Sequence, residues 1–240
     1  MPAQEILILA VTQMLGGVCV AGMSTEAEPT TGLRWIRPIR EFEHVLLGDI
    51  TAVDGTVVRP FDVAEFHLLQ ARPSPPHIED WITDFARPRV RVVRRLERER
   101  RAAFLRKYID PDPASVLENQ ARSLCLVRPD WIRASFELDA YTGKLEARLA
   151  FAVDKHRYLG ARTAGVSVTD LRWRALGRTL LPESGGLLEF DIDALRARLG
   201  LQDLFLAIGL TRAFQGAYWP IVVGVHLVPD YVVVVDYSNP

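Results

Sequence analysis

The chain has 240 residues, 49% of them hydrophobic and 25% charged, with a formal net charge of −1. This composition suits a soluble globular chain long enough to bury a core without staples. A near-zero net charge excludes a global attraction to nucleic acid or membranes, so any such attraction has to come from a local patch.

The first predicted element is a strand over 5–12, where Ile6-Leu7-Ile8-Leu9-Ala10-Val11 is apolar on both faces. The run is too short to span a membrane, and no basic residue precedes it, so it reads as a central strand rather than a signal or anchor. Gln13 to Gly17 turn the chain into a short strand over Val18–Gly22. Met23 to Gly32, with its Glu, Pro, Thr and Gly, reads as a loop. Leu33 to Ile39 is a strand carrying Arg34, Trp35 and Arg37 and ended by proline. Alternation puts Arg34 and Ile36 on one face, Trp35 and Arg37 on the other. A Trp beside an Arg can stack a base and hold a phosphate. The competing reading is that Trp35 is core and the arginines cover its edges.

Glu41 to Gly48 reads as one helical turn, and Asp54-Gly55 as a hairpin turn between 50–53 and 57–58. Val63 to Leu69 is a strand. The prolines of Arg72-Pro73-Ser74-Pro75-Pro76-His77 hold that segment extended. Residues 87–109 are the most basic stretch, with ten basic against two acidic residues over 87–107. The first 84 residues carry five basic and twelve acidic residues. A strand is expected over 90–93, and a helix over about 97–109 with Leu96, Ala103, Phe104 and Tyr108 near helical spacing. Asp110 to Pro113 ends it, and a short helix over 114–119 follows. Strands are expected over 124–127, 132–138 and 144–153. Thr169 or Asp170 caps a helix over 171–176, and Asp191 caps another over 192–199 that Gly200 stops. The remaining strands are 204–210, 221–227 and 232–235.

Many short strands with few helices, in two successive blocks, argue for two small barrels or one composite β domain. The two cysteines, Cys19 and Cys125, lie in separate apolar strands with no zinc spacing, which reads as reduced buried thiols in a cytoplasmic protein.

Several segments resemble a prokaryotic family, the dual OB-containing domain. They are Gly17-Val18-Cys19-Val20-Ala21-Gly22, Arg34-Trp35-Ile36-Arg37-Pro38, Pro76-His77-Ile78-Glu79-Asp80-Trp81, Val168-Thr169-Asp170-Leu171-Arg172-Trp173, Leu210-Thr211-Arg212-Ala213-Phe214 and Pro229-Asp230-Tyr231. The resemblance spans nearly the whole chain. It implies a mainly β fold with a few short helices, built as two tandem OB-like barrels packed together. The division expected is a first barrel over 1–86, a basic helical connector over 87–122 and a second barrel over 123–240. It also implies nucleic-acid binding, by analogy of fold. OB-folds bind single strands on a barrel face with stacking aromatics and basic rims. The resemblance does not account for the basic connector.

No nucleophile elbow, Walker or Rossmann pattern is present, and no two histidines are close enough for a local metal motif. No catalytic residue, metal or cofactor is therefore assigned. His77 with Glu79 and Asp80 is the best local acid–base cluster and reads first as a loop cap. Thr169-Asp170 reads as a helix cap, and Arg172-Trp173-Arg174 as a helix with Trp173 facing the barrel. The candidate nucleic-acid or anion ligands are Arg34, Trp35, Arg37, Arg89, Arg91, Arg94, Arg95, Arg98, Arg101, Arg212 and Trp219. Arginine forks onto phosphate oxygens, and Arg212 near Tyr218-Trp219 can clamp an anion beside an aromatic. Three functions follow. The first is a non-catalytic module for single-stranded DNA or RNA, with no membrane partner. The second is a pocket for a nucleotide-like molecule between the halves, with Arg34, Arg37 and Arg212 converging on an anion. The third is an adaptor whose strand edges pair with a protein.

Overall fold

The computed structural model describes residues 3–14, 16–28, 32–86, 88–139, 141–161, 164–182 and 186–237. Strand β1 (Gln4–Met14) is buried from both sides, as its unbroken apolar run requires. Ile6, Ile8 and Val11 point into one core, while Leu9 and Ala10 point into a second. β1 pairs antiparallel with β2 (Gly17–Glu28), and β2 with β3 (Gly32–Ile39). β3 runs parallel to β5 (Asp80–Asp84), β5 pairs with β4 (Asp62–Ala71), and β4 returns to β1. The circuit β1-β2-β3-β5-β4-β1 is a closed five-stranded barrel of the OB type. A 3₁₀ turn at Leu47–Ile50 lies between β3 and β4.

The expected connector supplies a strand, β6 (Arg91–Arg95), which adds to β4 in the first sheet. Two helices follow, α1 (Arg98–Lys107) and α2 (Ala114–Leu117). The second half repeats the circuit. β7 (Leu124–Val127) and β8 (Trp131–Leu138) are consecutive; β8 pairs with β9 (Leu145–Val153), which also pairs with β10 (His156–Tyr158) and β11 (Val166–Ser167). A parallel bridge from Val168 to Val222 leads to β14 (Pro220–Val228), β14 pairs with β13 (Asp203–Leu210), and β13 with β7. α3 (Leu171–Leu180) follows β11, capped by Asp170, which accepts from the Arg172 and Trp173 amides. β12 (Leu188–Asp191) adds to β8, and α4 (Ile192–Leu199) ends on Gly200 in the left-handed conformation. The architecture is mainly β, two OB-like barrels packed together.

One core fills the second barrel around Phe136, Phe151 and Trp173, another the first around Ile8, Ile36 and Phe66. A third lies between them: Leu9, Met23, Trp35 and Phe61 meet Leu105, Leu126, Phe205 and Val223. The barrels approach so closely there that a Cβ on Gly224 of β14 would sit 2.5 Å from the Leu9 carbonyl of β1.

Four expectations need correction. The loop over 23–32 is strand as far as Glu28, because Ala27 pairs with Leu33 of β3 and the ladder carries an exposed polar stretch. The helical turn over 41–48 is replaced by the later 3₁₀ turn, closed by Asp49, whose carboxylate accepts the Leu46 amide at 2.7 Å. The inner face of α1 is Ala102 and Leu105, and Ala103 faces solvent. Residues 232–235 are extended but form no strand, with Val232 and Val234 pointing outward and Tyr231 buried. Cys19 and Cys125 are free thiols.

Candidate anion site between the barrels

A cleft of about 760 Å³ opens where β1, β2 and β3 of the first barrel face β7, β13 and β14 of the second. Its apolar lining includes Ala10, Val18, Ala21, Leu124, Ile221 and Val223, and its polar lining includes Thr12, Cys19, Arg37, Asp80, Thr211 and Arg212. The parallel pairing of β3 with β5 sets Arg37 directly beside Asp80, with the Arg37 amide donating to the Glu79 carbonyl at 2.8 Å. Arg37 Nε donates to Asp80 Oδ1 at 2.6 Å, and the side chains are only 9% and 3% exposed. Across the cleft, Arg212 Nη2 donates to Asp80 Oδ2 at 2.7 Å from a half-exposed position. One buried carboxylate therefore holds two guanidinium groups drawn from the two barrels. Arg37 Nη2 is buried without a hydrogen-bond partner among the described residues. A buried donor left unpaired costs free energy.

The loop that carries Arg212 is closed at its base. The Thr211 amide donates to the Trp219 carbonyl at 2.9 Å, and the Trp219 amide donates to Thr211 Oγ1 at 3.0 Å. Phe214 is exposed at its tip and the Trp219 side chain, 56% exposed, at its base. Tyr218 ties the loop to the first barrel by donating to the Pro75 carbonyl at 3.4 Å and meeting the His77 ring edge-on. Burial, and then Arg37 and Arg212, push the His77 pKa down to about 4, so its imidazole is neutral at pH 7. Burial pushes the Cys19 thiol up, which keeps it protonated. Next to this site, the buried Glu79 carboxylate accepts from the Ser123 amide at 2.8 Å, the Ser123 hydroxyl at 2.9 Å and the Leu124 amide at 3.0 Å. These bonds fasten β5 of the first barrel to β7 of the second.

The sequence candidates divide into separate groups. Arg37 and Arg212 meet as the pocket reading expected. Arg34 does not join them: it pairs with Glu26 at 2.6 Å and lies over the Trp81 ring at 5.1 Å. Trp35 is 4% exposed inside the core between the barrels, where no base can reach it. Its stacking role is thereby corrected to a packing role. Trp219 is exposed in the loop that carries Arg212.

The basic segment is partly neutralised within the fold. Arg91 forks onto Glu65 at 2.9 and 2.8 Å, Arg94 reaches Glu5 at 2.9 Å, and Arg95 reaches the fully buried Asp62 at 2.6 Å. Arg101 pairs with Asp230 and lies over the Phe61 ring. Three acidic residues of the first block, Glu5, Asp62 and Glu65, thus supply counter-charge to this segment, and Asp203 and Asp230 of the second half supply more. Arg89 and Arg98 are exposed, and among the described residues no ion pair reaches them. Arg87 lies outside the described residues. The segment is therefore a poor continuous phosphate track.

Sequence reasoning passed over Asp80 as a ligand-holding group, and it passed over Arg40, Arg72 and Phe42, which also line the cleft. Arg40 forks onto Asp49 at 2.8 and 2.7 Å and also reaches Glu43, while Arg72 donates to the Glu41 carbonyl at 2.6 Å. The signal for Asp80 was its position next to Glu79 at the start of a strand; its meaning depends on a parallel register that alternation does not reveal. Among the described residues no group of three His, Cys, Asp or Glu side chains is placed to hold a metal ion. Among the same residues no helix is long and apolar enough to cross a membrane.

The family model of the dual OB-containing domain matches residues 4–225. Comparison with curated proteins and with solved structures gave no match.

Proposed function

The chain belongs to the dual OB-containing domain family, and on that premise we propose that it is a binding module whose cleft between the barrels takes a nucleotide-like anion. The observation that carries this is Arg212: a half-exposed guanidinium lining the cleft, held by the same buried Asp80 carboxylate that aligns Arg37 from the other barrel. A guanidinium fixed in this way is pre-organised to bind a second anion. The apolar remainder of the cleft is large enough for a base and sugar, and its volume lies within the range of small-ligand sites.

A second reading extends the ligand to single-stranded DNA or RNA. It is favoured by Phe214 and Trp219, exposed in the loop that carries Arg212, which offer stacking faces outside the cleft. A panel of free nucleotides, single-stranded DNA, single-stranded RNA and duplex, followed by thermal stabilisation, tests both. Stabilisation by mononucleotides supports the pocket, and a further gain with single strands supports the extended ligand. Arg212→Gln should weaken either by about 1.5–3 kcal/mol, the value of a hydrogen bond to a charged group. No response to any member of the panel, with a protein co-purifying instead, would overturn both in favour of an adaptor role.

A further inference from the structure

Among the described residues that line the cleft, one carries a phenyl, phenol or indole ring, and that is Phe42. Large rings are ordinarily buried, yet Phe42 is 88% exposed. It stands at the tip of the loop over 40–45, between β3 and the 3₁₀ turn, and both ends of this loop are braced. At the first end Arg40 forks onto Asp49 at 2.8 and 2.7 Å, and Arg72 donates to the Glu41 carbonyl at 2.6 Å. At the second end the Val18 amide of β2 donates to the Val45 carbonyl at 2.8 Å. The loop is seated on Gly17, where a Cβ would sit 2.4 Å from the Val45 carbonyl oxygen and 3.0 Å from His44 Cβ. Between the braces, residues 41–44 belong to no helix or strand. Residues 40–43 also line a smaller cavity of about 350 Å³, walled by Leu69, Ile82 and Phe85. The ring therefore stands on the ridge between two cavities, fixed through its loop and covered by almost nothing.

We propose that Phe42 selects for a nucleobase: its ring lies against the face of a base in the cleft, while Arg212 of the opposite barrel holds the anionic group. This inference rests on the binding role proposed above and names the residue that reads the uncharged part of the ligand. Stacking covers ring surface that water now surrounds, and every base offers a π-face. The contact therefore favours a base-bearing anion over a sugar phosphate, and a purine, with its larger face, over a pyrimidine. Phe214 and Trp219 cannot supply it, because neither lines the cleft.

Calorimetric titration of the full chain with AMP, CMP and ribose 5-phosphate tests this, in the parent and in Phe42→Ala, Phe42→Leu and Phe42→Trp. The side chain is exposed, so all three variants should melt with the parent. The parent should bind AMP more tightly than CMP, and ribose 5-phosphate at least about tenfold more weakly than AMP. Phe42→Ala should lose about tenfold on AMP and less than about twofold on ribose 5-phosphate. Phe42→Leu, which keeps apolar bulk without a flat face, should not restore AMP binding, and Phe42→Trp should. AMP affinity in Phe42→Ala within about twofold of the parent overturns the inference. Restoration by leucine, or an equal loss on ribose 5-phosphate, overturns it as well, since the ring would then only fill space or hold the loop. All three of these outcomes leave the nucleotide-binding role standing. A parent chain that binds neither nucleotide overturns the pocket reading and this inference together.

Discussion

Glu79→Ala removes a carboxylate that no polar group can replace. Its oxygens accept from two backbone amides and one hydroxyl of Ser123 and Leu124, and all of these groups are buried. The Ser123 hydroxyl can turn to another acceptor. The two amides cannot, and each buried donor left unpaired costs about 1–3 kcal/mol. Removing a buried charge returns part of its desolvation penalty, which lowers the sum. The expected loss is about 3–4 kcal/mol, and at about 2–4 °C per kcal/mol for a chain of this size the melting temperature should fall by about 6–16 °C. Glu79→Gln keeps one accepting oxygen and should lose about half as much free energy. Urea unfolding followed by far-UV circular dichroism gives both values, with the midpoint falling and the slope unchanged. Because the Glu79 carbonyl accepts the Arg37 amide and Asp80 is the next residue, nucleotide binding should weaken in parallel. A Glu79→Ala chain within about 1 kcal/mol of the parent would refute the reasoning, since it would mean the two amides find water or another acceptor.

Trp35→Ala should cost about 3–5 kcal/mol, because the ring fills the core between the barrels; a change under about 1 kcal/mol in denaturant melts would return it to the surface role. Arg95→Glu sets a carboxylate against the buried Asp62 and should destabilise by about 3–5 kcal/mol, whereas the exposed Arg98→Glu should change stability by less than about 0.5 kcal/mol. Equal effects of the two in urea melts would contradict the ion-pair assignment. Burial, and then Arg172 and Arg101, push the His226 pKa down to about 3, against about 6.5 in an unfolded chain. The neutral imidazole thus contributes stability that is present above about pH 6.5 and is lost as pH falls towards 3. Relative to His226→Leu, the parent chain should lose stability as pH falls below about 6.5, approaching about 1.4 kcal/mol per pH unit between about pH 5.5 and 4. A difference that does not vary with pH would place the imidazole in water.

The elements were legible where a local rule decides them. Ile6 to Val11 is apolar on both faces and becomes a strand buried on both faces. Asp170 and Asp191 accept helix amides as their positions indicate, and Gly200 ends α4. The failures occurred where a partner decides. Ser24 to Glu26 reads as loop by composition, yet continues β2 beyond Met23. Val232 to Val235 reads as strand by composition, yet among the described residues it joins no sheet.

The same division runs through the site. Alternation alone placed Trp35 and Arg37 on one face of β3, and their residue types marked a place where an anion or a base can bind. Only the tertiary structure decided that Trp35 is sealed between the barrels, that Arg91, Arg94 and Arg95 meet Glu65, Glu5 and Asp62, and that Arg37 and Arg212 share Asp80. Periodicity fixes which residues share a face, because the strand repeat is a property of the backbone. Whether that face meets water, a counter-charge or a second barrel depends on groups far along the chain, such as Asp80 and Arg212, which only the packing of the two barrels brings within hydrogen-bond reach.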